Sequence, residues 1–270
     1  MPELPEVEVI RRGITTALLD KTIKKFIIRF PSLRFPIPQE ISQKIINEKL
    51  TIITRRGKYL LLPFSKGTLL IHLGMSGRLT EVPLDTPAGK HDHIDIVFEK
   101  SILRYTDARR FGCFLWDEKN IDDHPLLKNL GPEPFSDEFN ADYFYQQIQR
   151  RKIAIKILLM NASFVVGVGN IYASEALFRA KISPTRPANE LNKKECAFLV
   201  KAIQQVLQEA IEKGGSTLRD YYLPDGQTGY FQHTFAVYDR EGKLCIKCTQ
   251  PILKIRQAQR STFFCGNCQK

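Results

Sequence analysis

The chain has 270 residues, 43% of them hydrophobic, enough for one large domain or two to three modest ones. Forty Lys+Arg against 29 Asp+Glu leave a net charge of +11, which calls for a polyanionic partner, nucleic acid first. No apolar run approaches the ~20 residues of a membrane span, and the start lacks the basic-then-apolar layout of a secretory leader, so reduced, intracellular thiols are expected.

"MPELPEVEVI" opens the chain. Val7, Ile10, Ile14, Ala17 and Leu18 recur at helical spacing and predict a helix from about Pro5 to Leu19. Proline and carboxylates suit a first helical turn. The same residues admit chemistry. Once methionine is trimmed, Pro2 would carry an α-amine titrating near ~8, so a fraction is a neutral nucleophile at pH 7. Glu3 beside it could shuttle protons.

Strand-like runs follow. "TIITRRGKYLLLPF" and "TLLIHLGMSGRLTEV" are broken by Gly and Pro, and "HIDIVFEKSILRYTDARRFGCFLW" reads as two strands around a turn. Residues 1–125 are therefore expected to form a β-sandwich or barrel with one N-terminal helix. Met75, between Gly74 and Gly77, and Phe111, after Arg109 and Arg110, are placed in hairpin turns. Apolar side chains at loop tips suit insertion into a base stack. His91, Asp92 and His93 could suggest a metal, but His91 and His93 on one strand face without a third ligand favour ordinary polar roles.

The turn-rich stretch "DDHPLLKNLGPEPFSDEFN" marks a linker over 126–138. Helices are predicted over 139–150, 152–162, 171–180 and 192–213, within a domain spanning 139–230. "VVGVGNIYASEALF" lacks both a dinucleotide fingerprint and a Walker lysine. Gly167, Gly169 and Asn170 there form either a plain turn or a phosphate-binding helix start. The Gly-rich run 214–230 is expected to be a mobile loop.

The tail, 236–270, contains "CIKC" and "CGNC" separated by sixteen residues. Two C-x2-C pairs at this spacing predict one tetrahedral structural zinc on Cys245, Cys248, Cys265 and Cys268, with redox chemistry the lesser alternative. Cys113 and Cys196 sit among apolar residues and read as core thiols. Basic clusters recur in all segments: Arg55, Arg56 and Lys58; Arg109 and Arg110; Arg150, Arg151 and Lys152; Lys254, Arg256 and Arg260. One duplex could span them all.

In order and over the whole length, "MPELPEVE", "RRGKYLLL", "IHLGMSGRL", "KHDH", "RYTDARRFG", "LGPEP", "VVGVGNIYASEALF" and "AQRSTFFCGNCQK" resemble the formamidopyrimidine-DNA glycosylases. The resemblance implies an α+β multi-domain enzyme. It would have an N-terminal β-sandwich, a helix–two-turn–helix domain and a C-terminal zinc finger. Acting as a monomer in the bacterial cytoplasm, associated with the nucleoid, it would excise oxidised purines from damaged double-stranded DNA and cleave the strand.

Position by position, the resemblance implies Pro2 as Schiff-base nucleophile and Glu3 as the acid that opens the sugar. Lys58 and Arg260 match the proton donors of the β- and δ-eliminations, and Glu6 a carboxylate near the damaged base. Met75, Arg109 and Phe111 match the wedge that fills the gap left by the flipped nucleotide. His91, Arg109 and Arg151 match DNA-contacting positions; Lys156, Asn170 and Arg260 match phosphate-binding ones. Residues 216–230 match the loop that closes over the lesion. Ile157 and Asn161 depart from the usual proline and aspartate. Relatives in the endonuclease VIII branch, which act on oxidised pyrimidines, open with "PEGPE" instead. A non-catalytic zinc-ribbon DNA-binding protein would not need Pro2 with Glu3, and a tautomerase would not need the zinc tail.

Overall fold

The computed structural model describes residues 2–216 and 231–270, which divide into two compact units. The first comprises 2–128 with 213–216, the second 129–212 with 231–270.

In the first unit, α1 (Leu4–Leu18) begins where the sequence placed it, with Glu3 as N-cap and Glu6 in the first turn. Its buried stripe of Val7, Ile10, Ile14 and Leu18 enters the same core as residues from two sheets. In chain order the unit contains α1, β1 (Lys25–Ile28), α2 (Ile41–Ile45), β2 (Thr54–Arg56), β3 (Tyr59–Phe64), β4 (Gly67–His72), β5 (Arg78–Pro83), β6 (Asp92–Val97), β7 (Ser101–Thr106) and β8 (Cys113–Asp117), followed by a short 3-10 helix at Ile121–Asp123. The strands form two antiparallel four-stranded sheets, ordered β1-β6-β7-β5 and β2-β3-β4-β8. Leu60, Leu62, Leu69 and Ile71 of one meet Leu79, Ile94, Ile96 and Leu103 of the other in the shared core, the arrangement of a sandwich.

Three expectations change here. "HIDIVFEKSILRYTDARRFGCFLW" holds three strands, β6, β7 and β8, because the chain leaves one sheet after Thr106 and enters the other at Cys113. For the same reason the segments carrying Met75 and Phe111 are crossovers between sheets, not hairpin turns. The third concerns the histidines: His91 is exposed and precedes β6, whereas His93 is 5% exposed with Nε2 2.8 Å from the Asp107 carbonyl. A register shift between Asp92 and Ile94 breaks the alternation that would have put them on one face.

The second unit contains α3 (Ala141–Ile148), α4 (Ile155–Leu159), α5 (Asn170–Ala180), α6 (Lys193–Glu212) and a hairpin of β9 (Leu253–Gln257) and β10 (Arg260–Phe264). Two helices are shorter than their periodicity suggested. Asn140 caps α3, its Oδ1 accepting from the N–H groups of Asp142 and Tyr143. α4 is confined to five residues: Ala154 is engaged in a bridge with Pro187, and the Asn161 side chain turns back to accept from Ser163.

Phe178 of α5 shares a core with Val237, Ile252, Phe263, Cys245 and Cys265, so the four-cysteine module is packed onto the helices. Glu175, 2% exposed, accepts from the N–H groups of Ala236, Val237 and Tyr238 and ties that segment to α5. Cys113 and Cys196 are buried core thiols, and burial pushes both up to about 11. Among the described residues no helix is long and apolar enough to cross a membrane.

Candidate active site

Pro2 and Glu3 lie buried at the start of α1, Glu3 only 1% exposed. Glu6, one turn on, is 2% exposed, and each of its oxygens is used. Oε2 accepts from the Glu3 N–H at 2.8 Å; Oε1 accepts from the Ser216 N–H at 2.8 Å and the Ser216 hydroxyl at 3.0 Å. Gly215 comes close beside it at φ +80°, where an added Cβ would stand 3.2 Å from the Glu6 side chain. Of the segment 216–230, only Ser216 lies within the described residues; the rest of that expected loop lies outside them.

Lys58 sits in the two-residue turn that joins β2 to β3, with Arg56 paired to Tyr59 and Gly57 at φ +57°. A glycine at the first central position is what a type II′ hairpin turn requires. The turn is held from behind. Arg55 Nη1 donates to the Gly57 carbonyl at 2.8 Å, and Arg55 Nε donates to Glu8 at 3.2 Å. Glu8 also receives Arg11 and Arg12. Burial pulls the Glu8 carboxyl up, but the hydrogen bonds from Arg11 and Arg12 and the charges of Arg11 and Arg55 outweigh it and hold the group at about 2.

Met75 is half-buried in the β4–β5 crossover; Arg109 and Phe111 are exposed in the β7–β8 crossover, with the Arg109 guanidinium 4.8 Å from the centre of the Phe111 ring. The arginine thus rides on the aromatic face. Arg110, at φ +56°, stacks likewise on Phe30.

In the second unit, α5 begins at Asn170 behind Gly169. Asn170 Nδ2 donates to the Ser261 carbonyl at 3.0 Å, while Lys156 Nζ donates to Asn170 Oδ1 and Thr262 Oγ1, each at 2.7 Å. Lys156 is 1% exposed, and its ammonium orients Asn170 and β10. Arg151, half-buried, has its guanidinium 5.6 Å from the Phe164 ring centre.

Arg260 is exposed at the first position of β10, directly after a two-residue turn in which Ala258 and Gln259 take φ of +44° and +63°. Both central residues are left-handed, as in a type I′ turn, without the glycine that makes it easy.

The Sγ atoms of Cys245, Cys248, Cys265 and Cys268 all lie within 4.8 Å of one another, with Cys245–Cys268 at 3.9 Å and Cys248–Cys265 at 3.4 Å. Zn–S bonds of about 2.3 Å in a tetrahedron put sulfurs about 3.8 Å apart, so the four fit one zinc. The Lys247 and Cys268 N–H groups donate to Cys245 Sγ and Cys265 Sγ. Four sulfurs leave no position for a reacting water, which makes the metal structural. Among the described residues this is the single such cluster.

The sequence had no signal for Ser216 as the partner of Glu6, for Glu8 as the support of the Lys58 turn, or for Glu175 as an anchor. All three are carboxylate contacts made far along the chain, and no local pattern encodes them.

Comparison with known proteins agrees with this layout. Residues 1–114 match the formamidopyrimidine-DNA glycosylase N-terminal domain, 130–221 the H2TH domain of the same enzymes, and 242–270 the zinc finger found in FPG and IleRS. Proteins named formamidopyrimidine-DNA glycosylase from Psychromonas ingrahamii and Marinomonas sp. are 48% and 51% identical, with both chains covered in full. The crystal structure of MutM (FPG) from Thermus thermophilus superposes with a TM-score of 0.89 at 38% identity, covering 99% of this chain and 98% of that one. Lactococcus lactis Fpg in complex with abasic-site DNA gives 0.92 at 33% identity, with 99% of each covered. With its sandwich, its helical unit and its four-cysteine module in this order, the chain belongs to the formamidopyrimidine-DNA glycosylase family.

Proposed function

We propose that this protein removes oxidised purines from duplex DNA and then cleaves the abasic strand, as a cytoplasmic base-excision repair enzyme. The observation that carries the reading is Pro2 followed by Glu3, buried at the head of α1, in a chain that matches formamidopyrimidine-DNA glycosylases end to end. A Lactococcus lactis FPG mutant has been seen with Fapy-dG DNA, and Lactococcus lactis Fpg with abasic-site DNA, which supports the substrate class.

With Met1 removed, the neutral Pro2 amine attacks C1′ of the damaged nucleotide. Glu3 protonates the opening sugar, the base departs, and an iminium joins Pro2 to C1′. The iminium is an electron sink, so loss of a C2′ proton expels the 3′ phosphate; Lys58 serves this β-elimination. A second elimination, served by Arg260, releases the 5′ phosphate. Met75, Arg109 and Phe111 fill the gap in the stack, with Arg109 facing the orphan base, while His91, Arg151, Asn170 and Arg260 take the backbone. Guanidinium is donor-only, and cytosine presents two adjacent acceptors, so Arg109 favours cytosine opposite the lesion.

The test is borohydride trapping on an abasic oligonucleotide. A covalent adduct should form with the protein starting at Pro2. Glu3→Gln should block base removal, and Pro2→Gly should slow strand cleavage greatly. A protein with Met1 demonstrably retained that cleaves abasic DNA at the normal rate overturns the reading.

A further inference from the structure

We propose that Asp107 is a positioning residue that fixes Met75, Arg109 and Phe111 as one rigid wedge, and so sets discrimination at the base opposite the lesion. The inference rests on the wedge reading above.

Asp107 is fully buried, and its carboxylate takes four donors, three from the two crossovers and one from β7. Oδ1 accepts from the Ser76 hydroxyl at 2.6 Å and the Arg109 N–H at 3.1 Å. Oδ2 accepts from the Tyr105 hydroxyl at 2.9 Å and the Gly112 N–H at 3.0 Å. Ser76 directly follows Met75, while Arg109 and Gly112 bracket Phe111. One buried carboxylate therefore joins the segment bearing the methionine to the segment bearing the arginine and phenylalanine.

The backbones are also in direct contact. A Cβ on Gly74, at φ +67°, would stand 2.4 Å from both the Gly112 nitrogen and the Phe111 carbonyl carbon. One on Gly112 would meet the Tyr105 hydroxyl at 1.8 Å. Nothing but glycine allows this approach. Burial and the charge of Asp107 both raise the Tyr105 phenol's pKa, so it stays a donor to the carboxylate. The main chain of Asp107 is pinned too: its N–H donates to the His91 carbonyl, and its own carbonyl meets His93 Nε2.

A wedge residue must hold its place while the stack presses on it, and a side chain on a loose loop yields instead of filling the gap. Asp107 removes that freedom without touching DNA. An amide in its place offers acceptors on one side only, leaving one pair of donors facing an –NH2. The crossovers would then separate.

The experiment compares Asp107→Asn, Ser76→Ala and Arg109→Ala with the wild type. Excision of 8-oxoguanine opposite cytosine and opposite adenine is measured under single-turnover conditions, beside borohydride trapping on a single-stranded abasic oligonucleotide. A single strand has no orphan base and no gap, so trapping does not call on the wedge. For Asp107→Asn, excision opposite cytosine should fall by at least about tenfold, the equivalent of one hydrogen bond to a charged group. The cytosine-to-adenine ratio should collapse toward one, and single-strand trapping should stay within about twofold of wild type, a range too small to count as a lost interaction. Ser76→Ala should move the same readouts the same way, less far, and decides the matter if Asp107→Asn does not fold. Equal losses on single-stranded and duplex substrates, or an unchanged ratio in both variants, would overturn the proposal. Should Arg109→Ala leave the ratio intact, the wedge reading itself falls; a ratio lost in Arg109→Ala but kept in the other two removes only the role of Asp107.

Discussion

The Glu6 carboxylate receives both the backbone N–H and the hydroxyl of Ser216, a residue 210 positions further along the chain. The first turn of α1 thus holds the point where the segment implied to close over the lesion begins. Glu6→Gln keeps the size but turns one oxygen into a donor, so the Glu3 N–H or the Ser216 pair loses its acceptor. A buried donor left unsatisfied costs about 1–3 kcal/mol. Base excision is expected to slow by about ten- to hundredfold, with cleavage of pre-formed abasic sites affected less. Paired single-turnover assays check this; equal losses in both steps would mean that Glu6 supports only the fold.

The Glu8–Arg55–Gly57 chain gives a pH prediction. Glu8 sits at about 2 in the folded protein against 4.5 as its ordinary value. A depressed carboxyl stabilises the fold above its unfolded value, and the contribution fades as pH falls from about 4.5 to about 2. Glu8→Gln should therefore lower the urea midpoint at pH 7, and the gap to wild type should narrow at pH 3. It should also slow the β-elimination, because the turn presenting Lys58 loses its support. A gap that stays constant with pH would remove Glu8 as the charged hub.

Zinc removal should act on one unit alone. The chain has one tryptophan, Trp116, which lies in β8 of the first unit. Cys→Ser at Cys245, Cys248, Cys265 or Cys268, or chelation, should abolish binding to damaged duplex while the Trp116 fluorescence transition on heating is kept. Zinc-free protein binding with unchanged affinity would contradict the structural role of the metal.

Salt dependence tests the basic clusters together. Each phosphate neutralised lowers log affinity by about 0.9 per unit of log salt. With Arg151 and Arg260 from one unit and His91 and Arg109 from the other at exposed or half-buried positions, a steep slope is expected. Arg151→Ala should reduce that slope by about one such increment. A flat response would leave the clusters as solvated faces.

Periodicity made α1 legible to within a residue, and spacing alone made the zinc ligands legible. The strands of the sandwich were legible as apolar runs, but not their partners. Nothing local in "RYTDARRFG" says that the chain changes sheet after Thr106. Asp107 looks like an ordinary turn aspartate until the fold brings Ser76 to it. Helix ends failed where side chains overrode periodicity, at Asn140 and Asn161. The burial of Lys156 against Thr262 was not legible either, because it depends on a strand more than a hundred positions away.

The hairpin tip of Ala258 and Gln259 works like a cocked spring. Two successive non-glycine residues in the left-handed region store about 1–2 kcal/mol each. A structural zinc contributes about 10–16 kcal/mol to a small finger, several times what the turn needs. The metal is therefore the latch. On the reading that Arg260 serves the strand cleavage proposed above, the held metal keeps it presented at the hairpin tip, and loss of the metal is expected to release that presentation.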